Sequence, residues 1–164
     1  MSTTESPTMR TVAFPSEELP PPAPFEIDIP VDWDAGQVPG VLLVAGPREW
    51  PGRFRPNVTV SATLVRLDVD LVPLAQAYVA DSAATAELHN VERIDDDTVQ
   101  ALIEVQLEEP AMRVVQSMVL FRVRSRPELS ELGDLFTVTA SCDAESAEAE
   151  GQVLLPVVQS FRTA

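Results

Sequence analysis

The chain has no lysine: all eleven basic residues among its 164 are arginines, set against 26 Asp and Glu, for a net charge of -15. A field of that sign repels phosphate backbones and anionic lipid, which argues against nucleic acid and membrane surfaces as partners. Cysteine is nearly absent too. Cys142 stands alone, so no disulfide forms within a monomer, and a reducing cytoplasm is the expected compartment. One histidine and one cysteine cannot build a zinc site of thiolates and imidazoles. The six glycines, at 36, 40, 46, 52, 133 and 151, match neither the dinucleotide fingerprint nor the phosphate loop. The longest continuous apolar runs are four or five residues, too short to span a bilayer. MSTTESPTMRTVAFPSEEL lacks the basic and apolar regions of a secretory signal, so none is expected. No cofactor, metal or membrane insertion is expected.

What remains is a strongly patterned chain. Six of its fifteen prolines fall in residues 1–24. Proline removes donors and favours extended geometry, so this segment reads as a disordered, polyproline-like arm ahead of a single domain at 25–164. FEIDIPVDW, residues 25–33, alternates apolar and acidic side chains, and its Pro30 predicts a strand at a sheet edge. Asp34-Ala35-Gly36 predicts a turn, and 40–46 a short buried strand. A third strand is expected over about 56–67. From Leu71 the period becomes helical through LVPLAQAYVADSAATAEL, with Pro73 in the first turn and an end near His89.

Three further strands are predicted, at about 98–108, 112–125 and 135–142, with turns at Glu109-Pro110 and Arg126-Pro127. A closing helix carries Val153, Leu154, Val157, Val158 and Phe161 on one stripe, with acidic residues at its amino end where the helix dipole favours them. Short turns between consecutive strands demand antiparallel pairing. The expected class is α+β: a single twisted, largely antiparallel sheet of six to seven strands packed by two main helices. Abundant Ala, Val, Asp and Pro without lysine point to a GC-rich, actinobacterial source.

Catalytic motifs are missing. There is no G-x-S-x-G elbow, and a histidine-based triad would have to use His89, expected at a helix end. Asp95-Asp96-Asp97 lacks the alternation, glycine and terminal glutamate of a calcium loop and predicts a solvated turn. Phe54-Arg55-Pro56-Asn57 reads as the lead-in to a strand. Pro56 presets extended geometry, Asn57 bonds neighbouring backbone, and Phe54 plugs the end of the core.

IDIPVDW, GVLLVAGP, FRPNVTVSATLV, a helix, a three-strand meander and the closing LLPVVQSF helix together resemble the PsbP-like αβα superfamily. The chain is similar within it to the LpqN-type small actinobacterial proteins, over about residues 25–162. The resemblance implies a fold without family-wide catalytic residues, used for binding and accessory roles, often by surface lipoproteins; the lack of a signal sequence and lipobox departs from that pattern.

The expected function is therefore non-enzymatic binding of a protein partner or a second copy. The alternatives are a secretion-associated chaperone or adaptor, or a carrier of small apolar ligands. If both helices cover the face bearing Val99, Ile103, Val119 and Phe136, the other face is open to water. Leu102, Val114, Met118 and Leu120 on it are then the candidate partner-binding residues.

Overall fold

Ten consecutive cross-strand pairs, from Asn57 with Ser141 to Arg66 with Leu132, tie two distant parts of the chain into the centre of the sheet. The computed structural model describes residues 10–13, 15–17, 21–82, 85–124 and 131–163. In chain order the elements are β1 (Phe25–Glu26), β2 (Trp33–Val38), β3 (Val41–Pro47), β4 (Asn57–Arg66), α1 (Leu71–Ser82), β5 (Ala86–Asp95), β6 (Thr98–Glu108), β7 (Ala111–Val123) and β8 (Leu132–Asp143). A short 3₁₀ turn (Ala144–Ser146), α2 (Ala147–Gln159) and β9 (Arg162–Thr163) complete the described chain. Strands β2-β3-β4-β8-β7-β6-β5 form one seven-stranded antiparallel sheet, and β1 pairs with β9 beside it. The α+β class and two-helix composition agree with the sequence.

Each helix takes a different face. Leu154, Val157 and Val158 of α2 pack on Val58, Val60, Phe136, Val138 and Ala140, closing one face over β3, β4 and β8. Phe161 stacks on Phe121 at 5.0 Å between ring centroids, and Phe25 meets Phe136 edge-on at 5.7 Å. Such arrangements suit the ring quadrupole, with its negative face and positive edge. On the other face Leu71, Ala75 and Val79 of α1 cover Val99, Ala101, Ile103, Met118, Leu120 and Leu135. The start of α1 is held by Asp70, whose Oδ1 accepts from the Val72 N–H at 3.0 Å, satisfying a donor left free in the first turn.

This arrangement overturns the expected open face. Val114, Met118 and Leu120 are 3%, 6% and 0% exposed and lie on the α1 side of the sheet. The reason is register. The Glu109-Pro110 loop pairs Glu108 with Ala111, so Val99 lies opposite Leu120 and Ala101 opposite Met118. Odd-numbered β6 residues thus share a face with even-numbered β7 residues, and misjudging this parity by one exchanges the faces of a whole strand. Leu102 is on the other face, 43% exposed.

Other boundaries differ as well. Asp34-Ala35-Gly36 lies inside β2, and the turn comes at Pro39-Gly40, where Gly40 has φ +80, a backbone that suits glycine. Of the predicted first strand, Phe25–Glu26 is paired as β1 and Trp33 opens β2. The predicted long helix ends at Ser82, and Ala86–Asp95 is an edge strand. Residues 1–9, 14 and 18–20 of the proline-rich arm, and Arg126-Pro127, lie outside the described residues. The end of the arm is attached: the Ala23 N–H donates to Asp134 Oδ2 at 3.0 Å, so the domain's contacts begin before Phe25.

Candidate functional site

With one helix on each face, each helix leaves part of the sheet open. Beside α1, the hydroxyl side of β4 and β8 forms the floor of a cleft of about 740 Å³. The alternation of NVTVSATLV sends Val58 and Val60 under α2 and Thr59, Ser61 and Thr63 to the cleft. The FTVTASC segment of β8 does the same with Thr137, Thr139 and Ser141. Register sets Thr59 opposite Thr139 and Ser61 opposite Thr137. Gln116 of β7 joins them, its Nε2 donating to Ser141 Oγ at 3.1 Å. Tyr78, Asp81 and Ser82 of α1 make one wall, while Phe54 and Gly40 also border the cleft. Phe54 therefore borders this cleft and is not a member of either buried cluster.

Five of these hydroxyls, on Thr59, Ser61, Thr63, Thr137 and Thr139, make no side-chain hydrogen bond to any described residue. Threonine is stiff about χ1, and the central strands hold its backbone, so the array is pre-positioned. What it offers chemically is hydrogen bonding to a polar partner. The signal in the sequence is the alternate run of Thr59, Ser61 and Thr63 in one strand and of Thr137, Thr139 and Ser141 in another, a pattern that contains no charged or catalytic motif.

Leu102 stands elsewhere, on the outward face over β5 and β6. It lies opposite Ser117 and Asn90. Nearby on that face, Gln100 Nε2 donates to Ser117 Oγ at 3.1 Å and Arg113 Nη1 pairs with Glu104 at 3.1 Å. Thus Leu102 is a single exposed apolar side chain among paired polar groups. Of the four residues expected to act together, Leu102 is exposed on one face, while Val114, Met118 and Leu120 lie buried on the other, where Met118 borders the hydroxyl cleft opposite Thr139. His89 is not at a helix end: it occupies a register irregularity in β5, with Nε2 3.4 Å from Glu104 Oε2. The Asn57 side chain bonds the Arg55 carbonyl at 3.1 Å, as expected for a strand lead-in.

Cys142 lies beneath α2, away from the hydroxyl cleft. Burial pushes its thiol up to about 11, with Glu150 and Asp143 adding to the effect. The thiolate is the reactive form, and at pH 8 a thiol with that pKa is only about 0.1% thiolate. The folded protein is therefore expected to resist iodoacetamide at pH 8 for hours while the urea-unfolded chain labels promptly. Intact-mass spectrometry checks this, and fast native labelling would contradict the burial.

A seven-stranded antiparallel sheet with one helix on each face is a fold of the PsbP-like kind. Solved structures that share it include LpqN and a cyanobacterial PsbP. The crystal structure of LpqN, involved in cell envelope biogenesis of Mycobacterium tuberculosis, superposes with TM-score 0.64 at 8% identity, covering 88% of this chain and 87% of that one. The solution structure of cyanobacterial PsbP (CyanoP) from Synechocystis sp. PCC 6803 superposes with TM-score 0.52 at 20% identity, covering 85% of this chain and 86% of that one. The resemblance read from the sequence holds at the level of fold. No family model matches the sequence, and comparison with curated proteins finds no match.

Proposed function

We propose that the protein is a non-enzymatic accessory protein that holds a protein partner on the open, hydroxyl-lined half of its sheet. The observation that carries this reading is the set of five uncommitted hydroxyls on β4 and β8. A partner's backbone or polar side chains can hydrogen-bond these hydroxyls at little ordering cost to the strands. The net charge of -15 favours a partner with a basic surface and speeds encounter with it. The likeness in fold to LpqN, a protein involved in cell envelope biogenesis, is in keeping with an accessory role. A secretion-associated chaperone or adaptor is the same reading with a narrower partner. A carrier of small apolar ligands is less well supported, because the cleft is open and sets its hydroxyls among the apolar Val79, Ile103 and Met118. Action in the reducing cytoplasm of an actinobacterial cell rests on composition and the single thiol. Fractionation of the native host decides between that and the cell envelope.

A photo-crosslinking residue placed at Thr139 in the native host is expected to capture one defined protein. The same residue at Leu102 should capture none. Ser61→Arg with Thr137→Arg should abolish the Thr139 adduct while leaving the melting temperature within a few degrees. Adducts from Leu102 alone would overturn the assignment, and self-adducts from Thr139 would identify the partner as a second copy.

A further inference from the structure

On the face covered by α2, at the β2 and β3 edge of the sheet, a second pocket of about 580 Å³ opens between the helix and two loops. Its walls include Trp33, Trp50, Pro30, Pro47 and Pro56, with Val153 and Leu154 from the helix. The ionisable residues that line it are Asp32, Glu49 and Glu150, all acids, with no arginine among them. An aromatic and apolar lining with carboxyl groups of one sign is complementary to a cation that carries apolar substituents.

Glu150 makes the pocket more than a crevice. It occupies the stripe of α2 that also buries Leu154, Val157 and Val158, and only 9% of it is exposed. Its Oε1 accepts from Ser146 Oγ at 2.7 Å, whereas Oε2 is buried with no hydrogen-bond partner among the described residues. Helix capping does not explain this placement: Ser146 makes no side-chain cap bond, and exposed Glu148 already provides an acid in the first turn. A buried oxygen left unpaired is costly unless a partner completes it. Trp50, 38% exposed, lies close against Gly52. A Cβ on Gly52 would fall 2.6 Å from Trp50 Nε1, so the absence of a side chain at position 52 lets the indole lie against its own loop.

The geometry points to a binding site for an organic cation, an ammonium or guanidinium head on a short apolar stem, with Trp33 and Trp50 against the head and Glu150 as its charge partner. The head belongs either to a free small molecule or to a Lys or Arg side chain of a peptide; the recognition chemistry is shared. The site is on the opposite face of the sheet from the hydroxyl cleft and does not depend on it.

Trp33 and Trp50 are the two tryptophans of the chain, so intrinsic fluorescence of the full-length protein reads the site directly. The probes are choline, acetyl-arginine methylamide, acetyl-lysine methylamide, and dimethylbutanol as the uncharged isostere of choline. At least one cation is expected to give a saturable change, with affinity about tenfold or more above that of dimethylbutanol. Glu150→Gln should weaken that cation about tenfold, and Trp50→Ala should do so with Trp33 left as reporter. Choline ahead of both amides assigns a small-molecule ligand; an amide ahead of choline assigns a basic peptide side chain. The inference is overturned if no cation saturates, if dimethylbutanol binds as well, or if Glu150→Gln keeps full affinity. Should Glu150→Gln fail to fold, unchanged affinity in Trp50→Ala overturns it instead.

Discussion

Leu120→Glu is expected to abolish cooperative unfolding. Leu120 is fully buried, opposite Val99 on one side and Thr137 on the other, in the cluster beneath α1. Losing the leucine packing alone costs about 2–5 kcal/mol. An unpaired carboxyl in that site adds several kcal/mol more, whether it stays charged or takes up a proton. Together these are comparable with the roughly 5–15 kcal/mol by which a domain is stable. The variant should lose its near-ultraviolet circular dichroism and aggregate. Leu102→Glu, at an exposed position, is the control and should change the melting temperature by a few degrees at most. A folded Leu120→Glu monomer would mean that the β6–β7 register is wrong.

The second large effect is expected at Arg122. Its side chain is 5% exposed, yet its charge is fully engaged. Nε donates to Asp97 Oδ1 at 2.7 Å, Nη1 to the Val69 carbonyl at 2.6 Å and Nη2 to the Asp96 carbonyl at 2.8 Å. One guanidinium thereby fastens the β5–β6 turn and the segment before α1 to the end of β7. Arg122→Met keeps the apolar stem but takes the donor from the Val69 and Asp96 carbonyls and leaves Asp97 with Arg124 alone, a loss of about 3–5 kcal/mol. At about 2–4 °C per kcal/mol for a chain of this size, the melting temperature should fall by roughly 6–20 °C.

The effect should depend on pH. Burial acts to raise the Asp97 pKa, but hydrogen bonds from Arg124 and Arg122 outweigh it and hold the carboxyl below its ordinary value. A folded-state pKa below the unfolded one stabilises fully above the unfolded pKa of about 4 and is lost as pH falls through the folded value. The gap between wild type and Arg122→Met should therefore be widest near neutrality and narrow below about pH 4. A gap that is constant from neutral to acid pH would remove Asp97 from the account.

Arg122 and the Asp95-Asp96-Asp97 turn show how far local reading reaches. A turn was legible in three successive aspartates, each a poor strand former. That Asp97 faces a buried arginine 25 residues away was not, because nothing in either segment encodes the meeting. Strand β5 was missed for a related reason. ELHNVERID at an exposed edge has too little apolar alternation to interrupt the helical period running out of α1.

Sequence alone determined the punctuated alternation of strands β3, β4, β6, β7 and β8, the start of α1, the stripe of α2 and hence the α+β class. These are properties of windows of about ten residues, where side-chain period and turn chemistry act within the window. Tertiary structure decided which face each strand shows, because parity across a hairpin depends on register and one residue reverses it. It also decided that the helices lie on opposite faces. That burial of Met118 and Leu120 under α1, with Thr59 and Thr139 left open, follows from non-local packing: each helix settles where the paired strands have already assembled an apolar patch.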